Sequence, residues 1–252
     1  MNIKYLADKC TRRNNSLFLA INKKNEMGKY FILDFACDTI ETGPEFPQIQ
    51  EMKKGYDFNA KNSIYELGTY INELPSFEPS LDYFVLHGKA RPTDLLSNSM
   101  VNGTGFLISK NIKDILLQCI LPIHMFYPAV LYHKGEKLKD YYWFQCVNET
   151  LECVDFSKSV FFIYKNFSED IGNIKISSQE DFVKKSKDLQ EEDPSLFVWA
   201  KKISFNNSFD RNLDLFKVPK FNSNFFISEK LSQLLLQKQA TGLDIKSTNL
   251  ID

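Results

Sequence analysis

Histidine is the scarcest reactive residue in this chain: His87, His124 and His133 are the only three. A protein zinc site needs ligands at set spacings, as in H-E-x-x-H. None of the three has such spacing, no C-x-x-C occurs, and no cysteine lies within four residues of a histidine. No metal is expected. His87 follows an apolar run and precedes Gly88, so it is the best candidate if the chain were an enzyme. His124 sits in an apolar run and reads as a hydrogen-bonded core histidine, and His133 opens a polar turn. Gly103 and Gly105 make a G-x-G, but a dinucleotide fingerprint needs a third glycine and an immediate helix. Phe106–Ile108 intervene, so the glycines read as a turn into a strand. No G-x-S-x-G and no phosphate-cradling GxxxxGK[ST] is present. No catalytic residue and no cofactor is expected. Carboxylates recur in DRNLD (Asp210, Asp214) and in the run Asp188, Glu191, Glu192, Asp193, which closes a helical pattern. Acids at a helix C-terminus oppose the dipole there, which costs stability and draws attention to a surface role.

The elements that hold these residues come from hydrophobic pattern. Apolar residues are 43% of 252, enough for a large core, and 31 basic residues face 32 acidic ones. That balance gives no net field to attract nucleic acid or an anionic membrane. Asp8, Lys9 and Arg12 interrupt any amino-terminal signal core, and Ile115–Tyr127 is too short and too polar to span a bilayer. A cytoplasmic protein with five reduced cysteines is expected.

Two strand-like runs, Ser16–Asn22 and Lys29–Ala36, suggest a hairpin, and Thr42–Gly55 reads as a loop. Ser63 with Glu66 fits a capping box before an apolar stripe of Ile64, Leu67, Ile71 and Leu74. Asp82–His87 is a short strand. Ile123–Tyr132 and Asp140–Val147 form a second hairpin, the latter covered on both faces. Val154–Tyr164, Ile174–Ile176 and Leu196–Ile203 are further strands. Ser177 and Ser178 start a helix that buries Phe182, Val183, Ser186 and Leu189.

One sentence is written twice. At an offset of 119, Phe106–Gln118 and Phe225–Gln237 share six identities in thirteen positions. Each copy is a short apolar strand ending on a serine (Ser109, Ser228), followed by an amphipathic helix that the serine caps. The first copy has Lys110 where an acid suits the helix start; the second has Glu229. Gly242 is expected to close the second helix in a left-handed conformation. The class is α+β, with mixed or antiparallel sheets, a few packed helices and the two strand-Ser-helix units as a candidate pseudo-repeat. Residues 1–80 read as an amino-terminal hairpin-plus-helix lobe and 81–252 as the main α+β domain.

The segments PTDLL, GFLISKNIKDIL, FYPAVL, YYWFQCV and CVDFSKSVFF, with the closing FFISEKLSQLLLQKQATG, occur in that order. Together they resemble a family of bacterial immunity proteins of polymorphic toxin systems, the eleventh class of that catalogue. The likeness spans roughly residues 82–252. Its motifs are structural words, strands and capped helices. The resemblance implies a cytoplasmic antitoxin that binds one cognate toxin domain stoichiometrically, with nanomolar affinity corresponding to about −12 kcal/mol. Its candidate contacts are the acidic run Asp188, Glu191, Glu192 and Asp193, suited to a toxin with a basic cleft, and the turn after His133. Two other readings stay open: a non-catalytic accessory or scaffold protein of a secretion system, and an enzyme built on His87 or clustered acids.

Overall fold

The computed structural model describes residues 30–100, 105–147, 151–218, 220–221 and 223–251. In chain order the elements begin with β1 (Tyr30–Phe35), α1 (Thr39–Thr42), β2 (Ile49–Met52), α2 (Ile64–Leu67), β3 (Phe84–Leu86) and β4 (Leu95–Leu96). Then come β5 (Gly105–Ser109), α3 (Lys110–Leu116), β6 (His124–His133), β7 (Glu136–Cys146), β8 (Val160–Lys165) and β9 (Glu169–Ile174). The chain ends with α4 (Gln179–Glu192), β10 (Leu196–Lys202), β11 (Leu215–Phe216), β12 (Phe225–Ser228), α5 (Glu229–Gln237) and β13 (Leu243–Ser247).

The strands make three sheets: β2-β3-β6-β7-β5-β4, β11-β12-β1-β13 and β10-β8-β9. The β3–β6 pair is parallel and the other strand pairs are antiparallel, so the class is α+β with mixed sheets. Side-chain alternation divides the interior into three cores. Trp143, Leu107 and Leu96 point to one side of the six-stranded sheet, against Ile64 and Leu67 of α2. Their neighbours Phe144, Phe106, Ile108 and Leu95 point to the other side, where they meet Phe225 and Ile227 of the four-stranded sheet and both helices α3 and α5. The far face of that sheet, with Phe216 and Phe226, packs towards Phe161, Val198 and Phe182 of the three-stranded sheet and α4. β7 is thus covered on both faces, as its lack of alternation predicts.

The repeated units take the same form. Ser109 accepts amide protons from Asn111 and Ile112, and Ser228 accepts one from Leu231. Both serines have extended backbone and both strands run straight into their helices. The likeness extends upstream of the repeated sentence. Asp94-Leu95-Leu96 leads into β4 beside β5, and Asp214-Leu215-Phe216 leads into β11 beside β12. The Ser109 amide donates to the Asp94 carbonyl (2.7 Å) and the Ser228 amide to the Asp214 carbonyl (2.9 Å). Each serine hydroxyl donates to its aspartate's carboxylate, at 2.5 Å and 2.6 Å.

The second oxygen of each aspartate crosses to the other unit. Asp94 Oδ2 accepts from the Thr241 amide (2.9 Å) and hydroxyl (3.0 Å), in the turn after α5. Asp214 Oδ2 accepts from the Ile120 amide (2.8 Å), in the turn after α3, and from Lys230 Nζ (2.7 Å). A backbone bond also crosses in each direction, with Leu95 N donating to Thr241 O and Asp214 N to Ile120 O. Each unit therefore holds the end of the other's helix, a self-complementary contact of the kind a two-fold axis produces. Burial pushes the Asp214 carboxyl up, but Lys230, Ser228 and the Ile120 amide together outweigh it and the net shift is downward.

Several expected elements differ. The Ser16–Asn22 strand lies outside the described residues; β1 pairs with β12 and β13. The expected Thr42–Gly55 loop contains β2, which hydrogen-bonds to β3. Ser63 does cap a helix, but α2 lasts only one turn before Gly68, and Ile71 is exposed. Its amide goes to Ala60 O, so the reciprocal half of a capping box is not used. The polar connector between β6 and β7 is mostly strand, because Lys134 (φ 52°) and Gly135 (φ 86°) turn the hairpin in two residues. β8 starts only at Val160. Before it, Asp155 accepts from the Ser157 amide and hydroxyl, which with Lys158 lowers its carboxyl to about 2. β9 precedes the expected Ile174–Ile176 strand. Val183 faces solvent, while Phe182 and Leu189 pack on the core. Gly242 is left-handed (φ 81°), but the helix-closing position belongs to Gln239 (φ 52°), whose amide and that of Ala240 return to Leu236 O and Leu235 O. Cys37 is disulfide-bonded, against the expectation of thiols alone; Cys119, Cys146 and Cys153 are free.

Candidate interaction surface

The acidic run caps the far end of α4. Ser178 starts this helix by accepting the Asp181 amide, and its last turn carries no basic residue. Asp188, Glu191 and Glu192 are exposed there, Glu191 in a loose 3.6 Å pair with Lys187. Asp193 is different. It accepts from the Ser195 amide (2.9 Å) and hydroxyl (2.7 Å) and pairs with Lys165 at 2.9 Å. The Ser195 hydroxyl and then Lys165 hold its carboxyl down at about 2. Three of the four acids therefore face solvent, and the fourth fastens the helix end to the three-stranded sheet.

The outer face of that sheet carries residues whose grouping pattern alone did not pick out. Phe197 lies opposite Tyr164 and Trp199 opposite Phe162. Cross-strand partners share a face, and the inward face is taken by Phe161, Val198 and Ala200. The β8–β9 hairpin adds Phe167. Its ring stacks on Phe197 at 4.5 Å and lies 6.5 Å from both Trp199 and Tyr164. Tyr164 lies 6.0 Å from Trp199 and 5.5 Å from Phe162. Lys201 covers the Phe162 ring at 5.0 Å while paired with Asp170 at 2.7 Å. Among the described residues, none of the three cores includes Tyr164, Phe167, Phe197 or Trp199.

Phe167 holds its place against backbone preference. The hairpin turns through Asn166 (φ 51°) and Phe167 (φ 54°), and the Ser168 amide donates to Lys165 O. Two left-handed residues suit a tight hairpin, but the second is normally glycine; a bulky side chain there costs about 1–3 kcal/mol. The sequence signal was present, as alternating aromatics on two neighbouring strands joined to an Asn-Phe turn. It does not stand out, because aromatic residues are frequent throughout the chain.

The histidines make no common site. His87 Nδ1 accepts the Lys89 amide at 3.3 Å, a turn contact. His124 opens β6 half-buried, its Nδ1 2.8 Å from Pro122 O and its ring against Phe126 and Phe144. His133, at the start of the β6–β7 turn, is partly buried, with Nε2 enclosed and without a hydrogen-bond partner. Among the described residues no group of three or more His, Cys, Asp or Glu is placed to hold a metal ion. No helix of the described residues is long and apolar enough to cross a membrane.

No curated protein matches the chain at a significant level. The sequence model of the immunity protein family Imm11 matches residues 34–249. That range begins well before the motifs quoted above and takes in the end of β1 with α1 and β2. It also contains the cross-clasped units and the aromatic sheet face. With a match over far more than half its length, the chain belongs to the Imm11 immunity protein family.

Proposed function

We propose that this chain is a bacterial, cytoplasmic immunity protein that neutralises one cognate toxin domain by stoichiometric protein–protein contact, without catalysis. The observation that carries this reading is family membership across residues 34–249. The site chemistry supports it: the polar groups at the centre of the fold, Asp94, Ser109, Asp214 and Ser228, are spent on holding the two units together. What the molecule offers outward is a charged helix end and an aromatic sheet face, the materials of an interface.

The test is rescue in cells. The chain is co-expressed with the toxin encoded by the adjacent reading frame. Restored growth, together with a one-to-one complex on purification, supports the proposal. Growth arrest at full expression of both proteins, with no complex recovered, contradicts it.

A further inference from the structure

We propose that the toxin is gripped by the outer face of the β10-β8-β9 sheet, with Phe167, Phe197, Trp199 and Tyr164 as the anchors and a Lys- or Arg-bearing surface of the toxin as the occupant. This inference rests on the immunity reading above and adds the place and the chemistry of contact.

Three observations converge. The four rings form one contiguous group outside all three cores, with Phe167 43% exposed. Clustered Trp, Tyr and Phe are the side chains that dominate binding energy at interfaces. Phe167 is also kept in a left-handed turn position that glycine would fill without strain. A bulky residue at a backbone position that favours glycine points to a role outside folding. The third observation is charge. The C-terminus of α4 is tied to this hairpin by Lys165–Asp193 and by the Asn166 amide on Ser195 O at 3.0 Å. The α4 C-terminus, with exposed Glu191 and Glu192 and the negative pole of the helix, therefore ends beside the hairpin that carries Phe167 and the exposed Glu169. Aromatic faces beside exposed carboxylates favour cations, the rings through their quadrupoles and the acids through long-range attraction. Another exposed apolar stretch, Leu117, Ile120, Ile123 and Met125, is aliphatic, and the exposed Asp114 of the adjoining helix is paired with Lys110.

The experiment uses the full chain and the purified toxin domain of the adjacent reading frame, with binding kinetics read at low and moderate salt. Phe167→Gly relieves the turn, so its thermal midpoint should match or exceed that of the parent. Its affinity for the toxin should fall by about 30-fold, as should that of Trp199→Ala. Glu191→Lys with Glu192→Lys should slow association by about tenfold and leave dissociation within about twofold. Ile123→Ser should bind like the parent. If Phe167→Gly and Trp199→Ala bind within about threefold of a parent that binds tightly, this surface is wrong and the immunity reading stands. Faster association of the charge-reversed variant would overturn the basic partner. A dimer of the chain that Phe167→Gly dissolves would make a second copy the occupant and overturn the proposal. A parent chain that neither binds nor rescues would sink both this inference and the function on which it rests.

Discussion

The ring of Phe106 lies on that of Phe225 with centroids 4.1 Å apart, and each is the other's counterpart at the 119-residue offset. Residues that meet their own equivalents mark a local two-fold axis. The contact also belongs to the core shared by α3 and α5. A double-mutant cycle of Phe106→Leu and Phe225→Leu, read by chemical denaturation, should give a coupling of about 1 kcal/mol. Additive losses would mean that the rings only share a crowded core.

The aspartate clasps should matter more than the caps. Asp214 is buried and receives Ser228, Ile120 and Lys230. Asp214→Ala leaves these donors without an acceptor and should cost about 3 kcal/mol. Asp94→Ala should follow, since it frees both Thr241 donors and Ser109. Ser109→Ala and Ser228→Ala should each cost roughly 1 kcal/mol by loss of the cap. Denaturant midpoints of the four variants give the ranking.

Gly242 tests the close approach of the two units. Its φ is 81°, its amide donates to Glu41 Oε1 at 2.7 Å, and a Cβ there would lie 2.1 Å from Leu95 O. Gly242→Ala meets both backbone strain and a clash with main chain, and should cost about 3 kcal/mol. Gly135→Ala is the comparison: it is also left-handed, but nothing lies within 4 Å of its Cβ position, so it should lose only the strain. Thermal melts of the two proteins give the difference.

Asp193 sets an acid limb of stability. Its carboxyl is held at about 2 in the folded chain by Ser195 and Lys165, below the unfolded value of about 3.9. A lowered folded pKa means the unfolded state binds the proton first. The contribution is therefore complete above about pH 4 and is lost as pH falls towards about 2. Asp193→Asn should show a shallower fall of stability across that window than the parent, measured by urea unfolding at successive pH values.

The caps of this fold are legible in sequence because they are local: Ser109, Ser178 and Ser228 each sit within three residues of the amides they receive. The clasps were not, since Asp94 reaches Thr241 147 residues away and Asp214 reaches Ile120 across 94. The aspartates align only after a one-residue shift from the 119 offset, which pairs Thr93-Asp94-Leu95-Leu96 with Leu213-Asp214-Leu215-Phe216. The stripe after Ser63 misled because Ile71 and Leu74 keep helical spacing past Gly68, where the backbone has already left the helix. The strands bearing Tyr164 and Trp199 were recognised, but which face turns outward depends on α4 packing against the opposite side. That is tertiary information a period of two does not hold.

The most direct test of the central claim is titration of the purified chain into its cognate toxin domain, with heat of binding and toxin activity followed together. The account predicts a one-to-one complex of nanomolar affinity and loss of toxin activity at equivalence. No binding at micromolar concentrations, with the toxin fully active in excess of the chain, would contradict it.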